Sequence, residues 1–187
     1  MSQFEYLSVL ISIIIGLAIT QLLSGAARLI QIRRRVRLHA ATLCWMVSMF
    51  LLDTQIWWVA FERQDNVDWN FFLFLLYLLM PIGAFLLSYL VLPELGDEDS
   101  ADLAANFEEN RPWFFGVLAL LPGISLLEEW SHDARLPLDG DVAFRIGFIA
   151  LSLAGARIRN ARFHFWYALV ALALICAYIA VLFLRLR

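Results

Sequence analysis

Long apolar runs parted by short polar ones make up most of this chain. Hydrophobic blocks of roughly 17–25 residues recur from end to end, the length a helix needs to cross about 30 Å of hydrocarbon. Their positions predict helices over residues 6–30, 40–61, 69–92, 112–131, 142–158 and 163–185. The expected architecture is all-α and integral to a membrane: a single domain, residues 1–187, folded as a six-helix transmembrane bundle. The fifth block is the weakest. It is short and carries Arg145 near one end, where a long side chain snorkels to the interface at lower cost than at midspan.

Composition agrees. Of 187 residues, 62% are hydrophobic and 17% charged, with a mean hydropathy of +0.74. Soluble domains run nearer 45–50% apolar and about a quarter charged, and a core of this size cannot hide the excess from water. The opening MSQFEY lacks the positive region of a secretory signal, and the block behind it is too long for one, so it is expected to stay as a helix. Cys44 and Cys176 fall inside apolar blocks, as small buried hydrophobes would. They form neither a disulfide framework nor a metal motif.

Charge then sets orientation. All 14 basic residues are arginine. Arg28, Arg33, Arg34, Arg35, Arg37, Arg111, Arg157, Arg159 and Arg162 place nine on the odd-numbered loops; Arg63, Arg135, Arg145, Arg185 and Arg187 leave five for the other side. The positive-inside rule puts the odd-numbered loops in the cytoplasm and both termini outside. Trp57, Trp58, Trp69 and Trp130 then fall at the outer interface, and Trp113 and Trp166 at the inner one, as an aromatic belt requires. The sizeable polar segment, 94–111, becomes an acidic cytoplasmic loop between helices 3 and 4. It holds Glu94, Asp97, Glu98, Asp99, Asp102, Glu108 and Glu109, and the plain expectation is that it lies against the arginine loops or is a simple solvated loop. Ser100 is placed to cap a short helix with Leu103 and Phe107 on one face. The calcium-loop pattern is absent.

The start FEYLSVLISIIIGLAITQLLSGAARLI resembles a group of uncharacterised bacterial multi-pass membrane proteins. They share an acid-aromatic opening and a G-x-A/G-I-T-x-L-L-x-G first helix, here Gly16 to Gly25. The likeness covers about the first thirty residues, and beyond them only the hydrophobic pattern agrees. It implies a bacterial inner (plasma) membrane location and carries no chemistry, since the group has no assigned activity. A fainter internal echo links the first and fifth helix exits, where Arg37–His39 and Arg162–His164 each open the next helix, as in a parallel repeat.

Three features bear on function. Ser8, Ser12, Gly16, Thr20, Ser24 and Arg28 recur every four residues along the first helix, with Gln21 and Gly25 beside them. Such a ridge of small and hydroxyl side chains favours close helix packing, with Ser12, Gly16 and Ser24 at the contact, or lines a narrow wet path. Either way it is expected to face protein. Asp53 falls near midspan of the second helix, followed by Thr54 and Gln55. A carboxylate there must be paired, protonated or wet. Arg145 is its expected partner, with Glu128, Glu129 and Glu5 on the same outer side; a negatively lined cavity for cations or protons is the functional reading, an Asp53–Arg145 staple the structural one. Pro81 and Pro122 sit at similar depth in helices 3 and 4, each close to a glycine, and are expected to kink them.

The motifs of common enzymes, nucleotide sites and metal sites are missing, and no basic, aromatic-interleaved surface suggests nucleic acid. His39, His132 and His164 look scattered. Glu128, Glu129 and His132 share a helix end where acid–base chemistry is conceivable, though a wet interface explains them more simply. No enzyme activity, cofactor or metal is expected. The leading expectation is a small homo-oligomeric membrane protein forming a polar pathway for a cation or proton, with Asp53 central and Gln55, Arg145, Gln21, Thr20, Glu128 and Glu129 along it. The oligomer is inferred from the small bundle and from small-residue faces, including Ala173 and Ala177. The alternative is a non-transporting scaffold, sensor or accessory subunit working through helix contacts and the acidic loop. Lipid binding at the kinked central helices is a third.

Overall fold

The computed structural model describes residues 3–62, 71–93, 100–133 and 139–185. Six helices dominate: α1 (Gln3–Gln31), α2 (Ala40–Glu62), α3 (Phe71–Leu90), α4 (Leu103–Asp133), α5 (Gly140–Arg157) and α6 (Ala161–Arg185). The all-α membrane bundle is therefore what the sequence folds into. Five of the helices, all but α5, are long and apolar enough to cross a membrane. In 18 residues α5 carries Asp141, Arg145 and Arg157, and it packs along α4. α2 is central, lying against α1, α3 and α6, while α3 bridges α1 and α4.

Two ends of the bundle are distinct. At one, β1 (Val36–Arg37) pairs in parallel with β2 (Ala101–Asp102), joining the α1–α2 and α3–α4 connections. Arg37 Nη1 meets Asp102 Oδ2 at 3.1 Å across this pair. That contact realises in part the expected approach of the acidic segment to the arginine loop. The α5–α6 turn lies at the same end, since His164 of α6 stacks edge-on against Phe107 of α4 at 5.2 Å between ring centroids. The odd-numbered connections thus share what we call the arginine-rich end. Trp69, Arg63, Glu94, Asp97, Glu98, Asp99, Arg135 and Arg187, and the side chains of Glu5, His132 and Arg185, lie outside the described residues. Trp57, Trp58, Trp113, Trp130 and Trp166 are all exposed on the bundle surface.

α4 departs from expectation. It starts nine residues before position 112, and Pro112 lies inside it. Asp102, not Ser100, caps it: Oδ1 accepts from the amides of Ala104 and Ala105, both at 3.0 Å. With these orphan donors satisfied, the polar stretch LAANFEENR continues into the membrane helix, and no separate short helix forms.

The small-residue ridge of α1 is the second correction. Ser12, Gly16, Thr20 and Ser24 are exposed on the chain, while Ile11, Ile15, Ala18, Leu22 and Leu29 form the buried face. Large aliphatics fill the gaps between helices, where packing is the driving force once lipid is the solvent. A hydroxyl needs no such burial, because it can bond its own helix backbone; Thr20 Oγ1 donates to the Gly16 carbonyl at 2.7 Å. Ser12 instead accepts from the Trp57 indole at 3.2 Å. Cys44 is half-buried and Cys176 exposed, so the second thiol is not the buried hydrophobe expected.

Close approach of α3 and α4 depends on Gly83. A Cβ there would stand 2.6 Å from Leu121 Cδ2. This contact also aligns Pro81 with Pro122, two residues from Gly83 and one from Leu121 respectively, at matching depth.

The cap of α4 makes a prediction. The Asp102 carboxyl is held below its ordinary 3.8, first by the Ala105 amide, against opposing desolvation, and then by Arg37 and the Ala104 amide. Because the folded value is depressed, this stabilisation is present at neutral pH and is lost as pH falls through and below 3.8. Asp102→Ala should lower the melting temperature in detergent more than Arg37→Ala, since the latter removes only an exposed ion pair. Asp102→Asn should recover most of the loss.

Candidate functional site

Asp53 is completely buried in the middle of α2. Its partner is not Arg145. Ser88 Oγ of α3 donates to Asp53 Oδ2 at 2.9 Å, and Oδ1 has no hydrogen-bond partner among the described residues. Arg145 is committed elsewhere: Nη1 meets Glu129 Oε2 at 2.7 Å, and Nη2 pairs with Asp141. The reason is local. Asp141 lies one turn before Arg145 on α5, and Glu129 ends α4, the helix on which α5 packs, so both are nearer than an aspartate turned toward α3. The expected ion-pair staple between α2 and α5 is replaced by an acid–arginine–acid cluster at the end opposite the arginine-rich one.

Between that cluster and the level of the two prolines the bundle holds two cavities that open at its surface. A cavity of about 240 Å³ is lined by Gln55, Ile56, Tyr77, Pro81, Ser125 and Glu128, among others. A second, of about 610 Å³, lies toward α5 and α6 and shares Leu52, Gln55, Met80 and Ser125 with the first. Gln55 stands on the wall of both, and its Nε2 is buried without a partner among the described residues. Asp53 is two residues from Gln55 on the same helix but turned toward Ser88. Structure therefore groups Gln55, Glu128, Glu129 and Arg145 in the half of the bundle away from the arginine-rich end, with Asp53 at its inner margin. Thr20 is exposed and Gln21 half-buried on α1; neither lines these cavities.

The other half is filled. Trp45 packs edge-on against Phe114, Phe115 and Tyr167, with ring centroids 5.1, 5.8 and 5.5 Å away. Phe107 stands between His39 and His164, at 5.1 and 5.2 Å. His164 Nε2 donates to the Ile158 carbonyl at 2.7 Å, and its Nδ1 is buried without a partner among the described residues. Tyr167 and Ser152 share a hydrogen bond of 2.8 Å. Arg111, only 4% exposed, pairs with Glu108 at 2.6 Å. Gly155 admits the Phe115 ring, which a Cβ would meet at 3.2 Å. Sequence reasoning treated the histidines as scattered. The signal that joins two of them was the echo of Arg37–His39 and Arg162–His164, which places each histidine at the start of a helix on the same end.

Comparison with protein-family models, with curated proteins and with solved structures gives no match. Geometry alone carries the functional reading. Among the described residues no group of His, Cys, Asp and Glu is arranged to hold a metal ion.

His39, just outside the membrane-spanning part of α2, supplies a prediction. Burial lowers its pKa from 6.5, against the raising influence of Glu108 and Asp102. A folded value below the unfolded one means that the unfolded chain binds the proton more readily, so stability falls as pH drops through 6.5. Melting temperatures measured over this range should fall on acidification, and His39→Gln should make the fall shallower.

Proposed function

We propose that this multi-pass membrane protein handles protons or small cations through a polar pathway whose carrying group is Asp53. The observation behind the reading is the carboxyl itself, fully buried at midspan with one oxygen held by Ser88 and the other lacking a partner among the described residues. Access is proposed through the cavity lined by Tyr77, Ser125, Glu128 and Gln55. By the arginine bias this cavity faces out and the aromatic half faces the cytoplasm. The arrangement suits a carrier in which one side is open and the other closed, the usual plan of midplane-binding transporters; a static open pore is a poor match to the packed aromatic half.

A second reading, favoured by that same packed half, is a scaffold or accessory subunit that conducts nothing. The two differ in a liposome assay. Wild-type protein reconstituted in vesicles should dissipate an imposed pH gradient, and Asp53→Asn should reduce the rate to the protein-free background while the melting temperature holds. Ser88→Ala should slow it less. A folded wild type that is silent at every pH and voltage tested would sink the pathway and leave the scaffold.

Homo-oligomerisation belongs to the same proposal. The exposed line Ser12, Gly16, Thr20 and Ser24 lets another backbone come close, as in small-xxx-small packing. Nothing lies within 4 Å of a Cβ placed at Gly16, so Gly16→Leu should leave the single chain folded. Its expected effect is loss of the oligomer in cross-linking and native mass measurements; an unchanged oligomer would remove α1 as the contact.

A further inference from the structure

Charge at the arginine-rich end is unevenly answered. Arg37 holds Asp102, and Arg111 holds Glu108. The strand pair ties the α1–α2 connection to the one that carries Asp102. The α5–α6 turn is different. Arg157, Arg159 and Arg162 are all exposed there, and none pairs with a carboxylate among the described residues. Arg157 reaches only the Leu153 carbonyl, at a long 3.5 Å. The turn itself is held in shape. The Ile158 amide donates to the Ala154 carbonyl at 2.9 Å, and the Ile158 carbonyl accepts from His164 at 2.7 Å. Asn160 Oδ1 accepts from the amides of Arg162 and Phe163, at 2.9 and 3.4 Å. Those two amides are thus taken, and the guanidiniums are what the turn presents.

Beyond the arginines the surface turns apolar. Phe165, Trp166 and Val170 lie three, four and eight residues after Arg162, on the same face of α6, and all three are exposed. α6 is long and apolar enough to cross the membrane from Ala161 to Val181, so this face meets hydrocarbon where the arginines meet head groups. We propose that the α5–α6 turn binds an anionic phospholipid of the leaflet at that end, its phosphate held by Arg157, Arg159 and Arg162 and a tail lying on the α6 face beyond Trp166. Guanidinium and phosphate match in charge and in their forked hydrogen-bond geometry. Three cations without a carboxylate among the described residues call for a head group of net negative charge. Orientation follows from the order along α6, arginine first and apolar side chains after it. A water-soluble acidic peptide would answer the charge and leave the apolar face unused. A lipid without net charge would answer the face and not the charge. The site involves neither Asp53 nor the cavities, so it stands apart from the proton pathway.

The test titrates the full chain in mild detergent with phosphatidylglycerol or phosphatidylethanolamine and follows bound lipid by native mass spectrometry. Phosphatidylglycerol should bind at concentrations where phosphatidylethanolamine does not. Arg159→Gln combined with Arg162→Gln should raise the half-saturating concentration about 25-fold, roughly fivefold for each arginine at an anionic surface. Arg159→Lys combined with Arg162→Lys should keep most of the affinity, because the charge survives. Arg33→Gln combined with Arg34→Gln removes equal charge from the α1–α2 connection and should leave binding nearly unchanged. Melting curves identify any variant that fails to fold; Arg159→Gln alone, outside both helices, then supplies the fivefold step. Equal binding of the two lipids by wild type, or undiminished phosphatidylglycerol binding by the folded glutamine variants, would overturn the proposal. So would an equal loss in the Arg33 and Arg34 variant, which would make the attraction diffuse. Displacement of the lipid by millimolar inorganic phosphate or by a short glutamate peptide would show that charge alone is read, and would overturn it too.

Discussion

In hydrocarbon every polar group must be satisfied by the chain itself, and the placement of those groups organises this bundle. Several hydroxyls turn back onto their own helix: Thr20 to Gly16, Ser48 to Cys44 and Thr54 to Phe50. Such groups add no contact between helices. Others reach across and so mark where neighbours meet, Ser88 to Asp53 for α3 and α2, Trp57 to Ser12 for α2 and α1, and Ser152 to Tyr167 for α5 and α6. Full charges are displaced toward the ends, where Arg37–Asp102, Arg111–Glu108 and Arg145–Glu129 pair. Asp53 is the exception to that displacement.

The two halves of the bundle differ in how they are filled. Toward the arginine-rich end, rings from α2, α4 and α6 interlock around Phe115, and the β1–β2 pair ties two connections together. Toward the other end, α5 and α6 leave space whose wall carries Gln55 and Ser125, and a smaller cavity beside it, lined from α1 to α4, adds Glu128. Pro81 and Pro122 stand near this change from filled to hollow. Each removes an amide that would bond the carbonyl one turn back, at Tyr77 and Leu118. Helices weakened there are freer to spread, and both prolines line cavities. Firm packing on one side and free volume on the other is what a one-sided binding site requires.

The sequence made the helices legible because twenty apolar residues in a row leave a chain few alternatives to crossing a bilayer. It made the shared end of the odd-numbered connections legible through arginine. What it hid depended on contacts between segments far apart. Pro112 read as a helix start because proline suits the first turn, yet Asp102 caps the helix earlier and α4 runs through it. The α1 ridge read as a packing face because small residues often pack, yet the aliphatic side opposite fills space better. Arg145 read as the partner of Asp53 because both lie in apolar segments, while the acids that hold it stand one turn away on α5 and at the end of α4. Local chemistry decided each of these, and periodicity alone could not weigh it.

Asp53 remains to be explained as a choice of residue. If its task were only to join α2 and α3, the gain would be that of an interhelical side-chain hydrogen bond in a membrane, about 0.6 kcal/mol on average. Placing an aspartate at midspan costs about 2.5–3.5 kcal/mol on insertion scales. A serine or threonine facing Ser88 would give a comparable bond at a fraction of that cost. No guanidinium offsets the difference among the described residues, because the nearest helix arginine in that half, Arg145, serves two other acids. As a staple, then, the residue loses more than it gains. On the proposed reading, the position is worth that deficit because a carboxyl can take up and release a proton, which a hydroxyl or amide cannot do.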